Sequence, residues 1–201
     1  VRGDLEWRSV ARLVRSAGER FAEREALIDG DVRMSFTDLA GAVDRATRAT
    51  IAAGIAKGDR VSIWAPNSHE WAVAALGAVS AGAVLVPINT RFKGAEAGYV
   101  LAKSGARALF TVEGFLGNDY VSMLAGEDLP ALERIVVLRG TAPSGTQPWG
   151  EFLTAGDPVA PELADARIAD LDLADFSDIT FTSGTTGRPK GAMITHGQTL
   201  R

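Results

Sequence analysis

The chain has 201 residues, 46% hydrophobic and 23% charged, which is enough apolar content for a buried core and excludes wholesale disorder. Its 21 basic and 25 acidic side chains sum to −4, against a cationic nucleic-acid-binding coat. The absence of cysteine removes disulfides, thiolate metal sites and a cysteine nucleophile, and two histidines, His69 and His196, are too few for a zinc cluster.

From the N-terminus, Trp7, Val10, Ala11, Val14 and Ala17 fall on one helical face, so a helix is expected over residues 7–21. Residues 26–29 and 32–36, separated by Gly30-Asp31, read as a hairpin. Thr37 is the expected cap of a helix reaching about residue 53, which Gly54 ends. Residues 60–65 form an apolar strand, and Asn67 and Glu70 stand at capping-box spacing before a helix to Ser80. A strand at 84–88, a helix at 94–104, a strand near 108–111, a helix at 120–125 and a β-branched strand at 134–138 follow. Strands alternating with helices imply parallel crossovers, and near-continuous apolar strands imply a sheet covered on both faces. The expected class is α/β, with βα-repeat sheets covered by helices.

The longest apolar stretch, Trp71 to Ile88, is broken by glycines and Pro87, and the first residues show no basic segment leading an apolar one. The expectation is a cytoplasmic protein with no integral membrane segment and no nucleic-acid partner. Residues 139–178 change character. Five glycines and prolines between 140 and 150 break regular elements, and residues 157–178 carry seven acidic side chains against Arg167. An irregular, solvated acidic connection is expected, since the spacing lends no support to an acidic metal site. Trp7, Trp64 and Trp71 read as packing residues, and His69 as a surface or capping group. For His196 a structural or solvent position is weighed against a secondary role near a nucleotide.

The chemistry concentrates near the C-terminus. A strand at 178–182 runs into Ser183, Gly184, Thr185, Thr186, Gly187, Arg188, Pro189, Lys190 and Gly191. Three glycines and several hydroxyls suit a core badly and an anion well: glycine lets backbone N–H groups approach, hydroxyls add donors, and lysine adds a point charge. The run lacks the Gly-Lys-Ser/Thr ending of a P-loop and the glycine spacing of a dinucleotide fingerprint. A phosphate-binding loop is the reading from the residues, with a merely flexible glycine-rich turn as its alternative. Residues Ile194 to Arg201 read as the start of a helix.

The ten residues from Thr182 to Gly191 resemble the phosphate loop of the adenylate-forming superfamily, which contains acyl-CoA synthetases, peptide-synthetase adenylation domains and luciferases. Met34-Ser35-Phe36-Thr37-Asp38-Leu39-Ala40 and the stretch from Ser80 to Asn89, with Ala81-Gly82 and Pro87, are similar to two earlier elements of that family. Val61 to Asn67 and Asn89-Thr90-Arg91 look most like its CoA-ligase branch. Gly114-Phe115-Leu116-Gly117 resembles actinobacterial ligases acting on steroid-derived propanoates.

The resemblance implies a two-step reaction, acyl-adenylate and then acyl-CoA, with ATP, CoA and Mg²⁺ and a small-molecule carboxylate as substrate. It implies that Thr182, Ser183, Gly184, Thr185, Thr186, Gly187 and Lys190 hold ATP phosphates. Arg91 is implied as a CoA contact, with a surface salt bridge as the alternative. It further implies that residues 1–201 are a partial N-terminal AMP-binding domain, with 178–201 a strand, the phosphate loop and the start of a helix. No catalytic residue is expected in this chain: by resemblance the adenylation lysine and the lid domain belong downstream of Arg201. The chain alone is therefore expected to be inactive and to self-associate through surface left uncovered. A peptide-synthetase-type adenylation domain and a stand-alone phosphate- or nucleotide-binding module remain the alternatives. The acid is open among steroid-derived, fatty and aromatic classes.

Overall fold

The computed structural model describes residues 6–182 and 188–201. The chain opens with α1 (Val10–Phe21), capped by the Ser9 hydroxyl, which accepts from the Arg12 amide. A small antiparallel sheet follows, β1 (Glu25–Asp29) and β2 (Val32–Ser35). Helix α2 (Phe36–Ala52) begins two residues earlier than the Thr37 cap would have it. Ser35 caps it and exchanges bonds with Asp38 in a reciprocal box, which fixes the start where the hairpin ends.

The main sheet is then laid down by β3 (Arg60–Trp64), α3 (His69–Ser80), β4 (Val84–Pro87), α4 (Gly94–Ser104), β5 (Ala106–Val112), α5 (Tyr120–Met123) and β6 (Arg134–Arg139). Ser68, not Asn67, caps α3 by accepting from the Trp71 amide at 3.1 Å. With β7 (Gln147–Pro148), β8 (Phe176–Thr182) and β9 (Lys190–Thr195), the order is β7-β6-β5-β3-β4-β8-β9. All pairs are parallel except β8–β9. The connection β3–α3–β4 steps one way across the sheet and β4–α4–β5 steps back. Right-handed crossovers therefore put α3 and α4 on opposite faces.

The core lies in β3, β4 and β5 and the helices covering them, with Val61, Ile63, Trp64, Val86, Leu109 and Phe110 almost wholly buried. Helix α2 packs directly on α3. At Gly77 a Cβ would lie 2.5 Å from that of Ala46, so the two helices approach as closely as they do only because that side chain is absent.

Residues 139–178 are not an irregular connection. They contain β7, α6 (Trp149–Thr154) and α7 (Pro161–Ala169). Phe152 and Trp149 meet Phe110 edge-on, with centroids at 5.2 and 5.8 Å, which draws α6 onto the core. Pro161 opens α7, whose Ala164 and Ile168 are buried. Nor do the acidic residues simply face water. Asp157 pairs with Arg45 at 3.4 Å, Asp165 with Arg15 at 2.6 Å and Asp172 with Arg8 at 2.6 Å, while Lys57 takes both Asp170 and Asp175. The negative segment is laced onto Arg8 just before α1, onto cations of the first two helices and onto Lys57 in the turn before β3.

The end of the chain also differs from expectation. After residues 183–187, which lie outside the described residues, the chain returns as β9 before the short helix α8 (His196–Thr199). The helix expected to run from Ile194 to Arg201 is thus confined to one turn. Ile194 belongs to β9, and Arg201 lies beyond the helix, exposed, with its amide donating to the Gln198 carbonyl at 3.4 Å. The physical reason is the Thr195 cap: its hydroxyl accepts from the Gln198 amide, so the helical turn starts only after the strand has paired with β8. The sheet is therefore mixed, with one antiparallel strand at its margin. Among the described residues, no helix is long and apolar enough to cross a membrane.

Candidate functional site

Strands β8 and β9 form a hairpin whose closing pair is Thr182 opposite Lys190, with the Thr182 hydroxyl 3.5 Å from the Lys190 carbonyl. Alternation along β8 turns Ile179 and Phe181 toward the core. Gly191, opposite Phe181, leaves them room: a Cβ there would fall 2.7 Å from Ile179 and 3.3 Å from Phe181. The glycine thus lets the hairpin lie flat on the apolar side chains beneath it, while Thr182 and Lys190 are exposed at its mouth. Ser183, Gly184, Thr185, Thr186 and Gly187 lie outside the described residues. Of the expected phosphate-binding set, Thr182 and Lys190 are described, and they face each other.

The returning arm is tied to α4. The Tyr99 hydroxyl donates to the Pro189 carbonyl at 3.2 Å, and the Arg188 guanidinium lies over the Tyr99 ring, 5.4 Å from its centroid.

Because β8 is parallel to β4, with Leu85 opposite Asp178, the loop after β8 emerges at the same edge as the loops after β3, β4 and β5. The connections from β3 and β4 depart to opposite faces, which makes a topological switch point, where open α/β sheets bind ligands. A cavity of about 390 Å³ opens there, lined by Ala65, Asn67, Trp71, Ile88, Asn89 and Thr90. Arg91 follows directly. Its side chain is exposed and its amide donates to Asn89 Oδ1 at 2.9 Å. Arg91 and the hairpin mouth therefore sit on loops that follow adjacent strands.

The two histidines have structural surroundings. His196 is 1% exposed, and its Nδ1 accepts the Val10 amide at 3.3 Å, tying α8 to α1. Burial holds its pKa below the ordinary value, against the opposing pull of Asp175 and Asp178, which suits a neutral acceptor. His69, expected as a surface or capping group, is half-buried at the start of α3 and is paired there. Its backbone amide and Nδ1 meet Asp29 at 3.0 and 2.9 Å, and Nε2 lies 3.3 Å from Glu70. Asp29, His69 and Glu70 have the composition of a metal site. The cation already seated on them is Arg139, whose Nε lies 2.7 Å from Glu70 and whose terminal nitrogen bonds Asp29. The Asp29 carboxyl is held well below its usual range by the His69 amide first, then by the His69 ring and Arg139. This cluster joins β1, α3 and β6. Its members come from three separate stretches of the sequence, so no local spacing could reveal it.

Comparison with known proteins accords with this geometry. The family of AMP-binding enzymes matches residues 14–201. A 3-[(3aS,4S,7aS)-7a-methyl-1,5-dioxo-octahydro-1H-inden-4-yl]propanoyl:CoA ligase of Mycobacterium tuberculosis is 43% identical over 189 residues, covering 94% of this chain and 36% of that protein. Its counterpart in Rhodococcus jostii is 41% identical over 192 residues, covering 93% and 37%. Among solved structures, the anthranilate CoA ligase AuaEII in complex with anthranoyl-AMP superposes with a TM-score of 0.81 at 26% identity, covering 94% of this chain and 35% of that one. The chain thus spans little more than a third of the length of these relatives.

Proposed function

The chain belongs to the family of AMP-binding enzymes, and on that premise we propose that it supplies the phosphate-handling part of an ATP-dependent carboxylic acid:CoA ligase. The observation that carries the reading is the Thr182–Lys190 hairpin mouth, set at the carboxyl edge of the sheet and spanned by a run of glycines and hydroxyls. A carboxylate oxygen attacks the α-phosphorus of ATP, the bond to the bridging oxygen breaks, and pyrophosphate leaves. The thiol of CoA, losing its proton, then attacks the acyl carbon of the mixed anhydride and expels AMP.

In this reading Thr182, Ser183, Gly184, Thr185, Thr186, Gly187 and Lys190 hold the departing phosphates, with the charge of Lys190 placed where negative charge accumulates. Exposed Thr182 presents a hard oxygen donor of the kind Mg²⁺ accepts, and the ion, when bound, neutralises phosphate charge. Arg91, exposed on the loop after β4, is positioned to meet an anionic group of CoA. No residue of this chain, Arg201 included, is assigned to the acyl-transfer chemistry itself.

For the acid, identity of 41–43% to two ligases of a fused-ring propanoate favours that class over fatty and aromatic acids. ATP and CoA as substrates favour a cytoplasmic location. In the 201-residue chain alone, self-association is expected through the face bearing exposed Phe176 and Met193.

Pyrophosphate release tests the reading. The full-length enzyme is incubated with ATP, CoA and, in turn, the indenyl propanoate, a medium-chain fatty acid and anthranilate. Turnover with the first and acyl-CoA as product are expected. No acid-dependent release with any of them overturns the ligase assignment.

A further inference from the structure

The hairpin that carries the loop is gripped at both flanks by one side chain from another element. Tyr99 projects from α4, a helix seated firmly: Ala97, Val100 and Leu101 are buried, and Gly98 lies against Glu127, where a Cβ would come within 2.6 Å of the carboxylate. On the outgoing arm the Tyr99 ring meets Phe181 edge-to-face, with centroids 6.4 Å apart and planes at 85°. On the returning arm its hydroxyl bonds Pro189 at 3.2 Å and its face carries the Arg188 guanidinium. These contacts straddle the Thr182–Lys190 pair, one residue before it on β8 and one and two residues before β9 begins on the returning arm.

We infer that Tyr99 is a positioning residue for the phosphate loop, fixing both arms of the hairpin mouth so that Thr182 and Lys190 are held before nucleotide arrives. The inference rests on reading that loop as the ATP-phosphate site. Preorganisation is the physical reason. Strand β8 is joined to the parallel sheet through a short register at Asp178, and β9 pairs with β8 along one side. Thr182 and Lys190 therefore stand at the end of a two-stranded ribbon, and a two-stranded ribbon is by itself a weakly stable unit. A post between ribbon and scaffold removes the freedom that nucleotide binding would otherwise have to quench. The ring and the hydroxyl act on different arms, so substitutions can separate them. Tyr99→Phe keeps the contacts with Phe181 and Arg188 and loses only the bond to Pro189. Tyr99→Ala loses all three.

The test uses the full-length enzyme and two readouts. In amide hydrogen exchange, Tyr99→Ala is expected to speed exchange about tenfold at Phe181, Thr182, Arg188, Lys190 and Gly191, Tyr99→Phe less and on the returning arm alone. In steady-state kinetics, Tyr99→Ala is expected to raise KM for ATP about tenfold with KM for CoA unchanged. Val100→Ala, in the buried side of the same helix, is the control for general weakening and should leave the ratio of the two KM values as in the wild type. Unchanged exchange in the arms, or a loss spread equally over ATP, acid and CoA, overturns the inference. If the wild-type enzyme makes no acyl-CoA, the ligase reading fails, while exchange still decides whether Tyr99 fixes the loop.

Discussion

Trp64 and Tyr120 stack with ring centroids 4.2 Å apart, and their polar edges hold neighbouring carbonyls of one turn. Trp64 Nε1 donates to Asn89 O at 3.1 Å and the Tyr120 hydroxyl to Thr90 O at 2.8 Å. Two almost wholly buried aromatic side chains thus fix the segment that presents Arg91. Tyr120→Phe keeps the stack and strands the Thr90 carbonyl, so a loss of about 1 kcal/mol is expected, measurable by urea denaturation. In the full-length enzyme the same change should raise KM for CoA and leave KM for ATP unaltered.

Lys190→Ala is expected to lower kcat/KM for pyrophosphate release in the full-length enzyme by about 10²–10³, the range found when one preorganised stabilising donor is removed. Arginine at the same position should restore little of it, because a planar fork does not reproduce a compact point charge. Wild-type activity in Lys190→Ala would remove the residue from the phosphate site.

The acid limb of stability should report the cluster around Arg139. Asp29 is held below its ordinary range by the His69 amide first. Glu70 is held below its own despite burial, which pushes the other way, through the bonds from Arg139. A carboxyl whose folded pKa is depressed contributes stability above its unfolded pKa and loses it as pH falls through the folded one. Stability should therefore decline progressively below about pH 5. Arg139→Gln should be less stable than the wild type at pH 7 and by a smaller margin at pH 3, because Glu70 and Asp29 lose their charge only as pH falls through their depressed folded values. Equal differences at both pH values in urea midpoints would show that the cluster is not responsible.

Phe152→Ala should destabilise the chain by about 3–5 kcal/mol, as expected for removing a buried aromatic side chain. Breaking the exposed Arg45–Asp157 pair nearby should cost about 1 kcal/mol or less and should fade at high salt. Thermal melts of the two variants at two salt concentrations distinguish burial from charge as the anchor of this segment.

An apolar hollow of about 840 Å³ is lined by Phe176, Ile179, Phe181 and Met193, with Lys57 and Lys103 among its rim. Light scattering of the 201-residue chain should show concentration-dependent association, weakened by Met193→Lys. A monomer at every concentration would dismiss this surface.

What the residues made legible and what they hid divide along sequence distance. The Gly30-Asp31 turn and the apolar strands around Val61 and Leu109 are local patterns, and each became the expected element. Strand β9 was hidden because Gly191 and exposed Ala192 and Met193 lack the apolar alternation of a strand. They pair because β8 supplies a template, which also shortens the helix expected before Arg201. At the candidate site, the glycine and hydroxyl run marked the loop, whereas the grip of Tyr99 on its two arms spans some ninety residues of sequence. The lacing of residues 157–178 was hidden because Arg8, Arg15, Arg45 and Lys57 lie more than a hundred residues from their partners. The helices at 149–154 and 161–169 stood behind a run of glycines and prolines that punctuates the stretch without governing all of it. The cluster of Asp29, His69, Glu70 and Arg139 depends on β1, α3 and β6 meeting, which no single window contains.

The return of the chain as β9 has an electrostatic consequence. Loops that grip phosphate at the start of a long helix borrow the aligned peptide dipoles of that helix, equivalent to about half a positive charge, and keep that share whatever the side chains are. Here the residues that follow the loop are extended and antiparallel, and strand dipoles largely cancel. The long-range attraction for a nucleotide must then come from whole charges that can be lost or neutralised. Phosphate affinity at this loop should accordingly fall more steeply with ionic strength, and with a single lysine substitution, than at a loop backed by a helix.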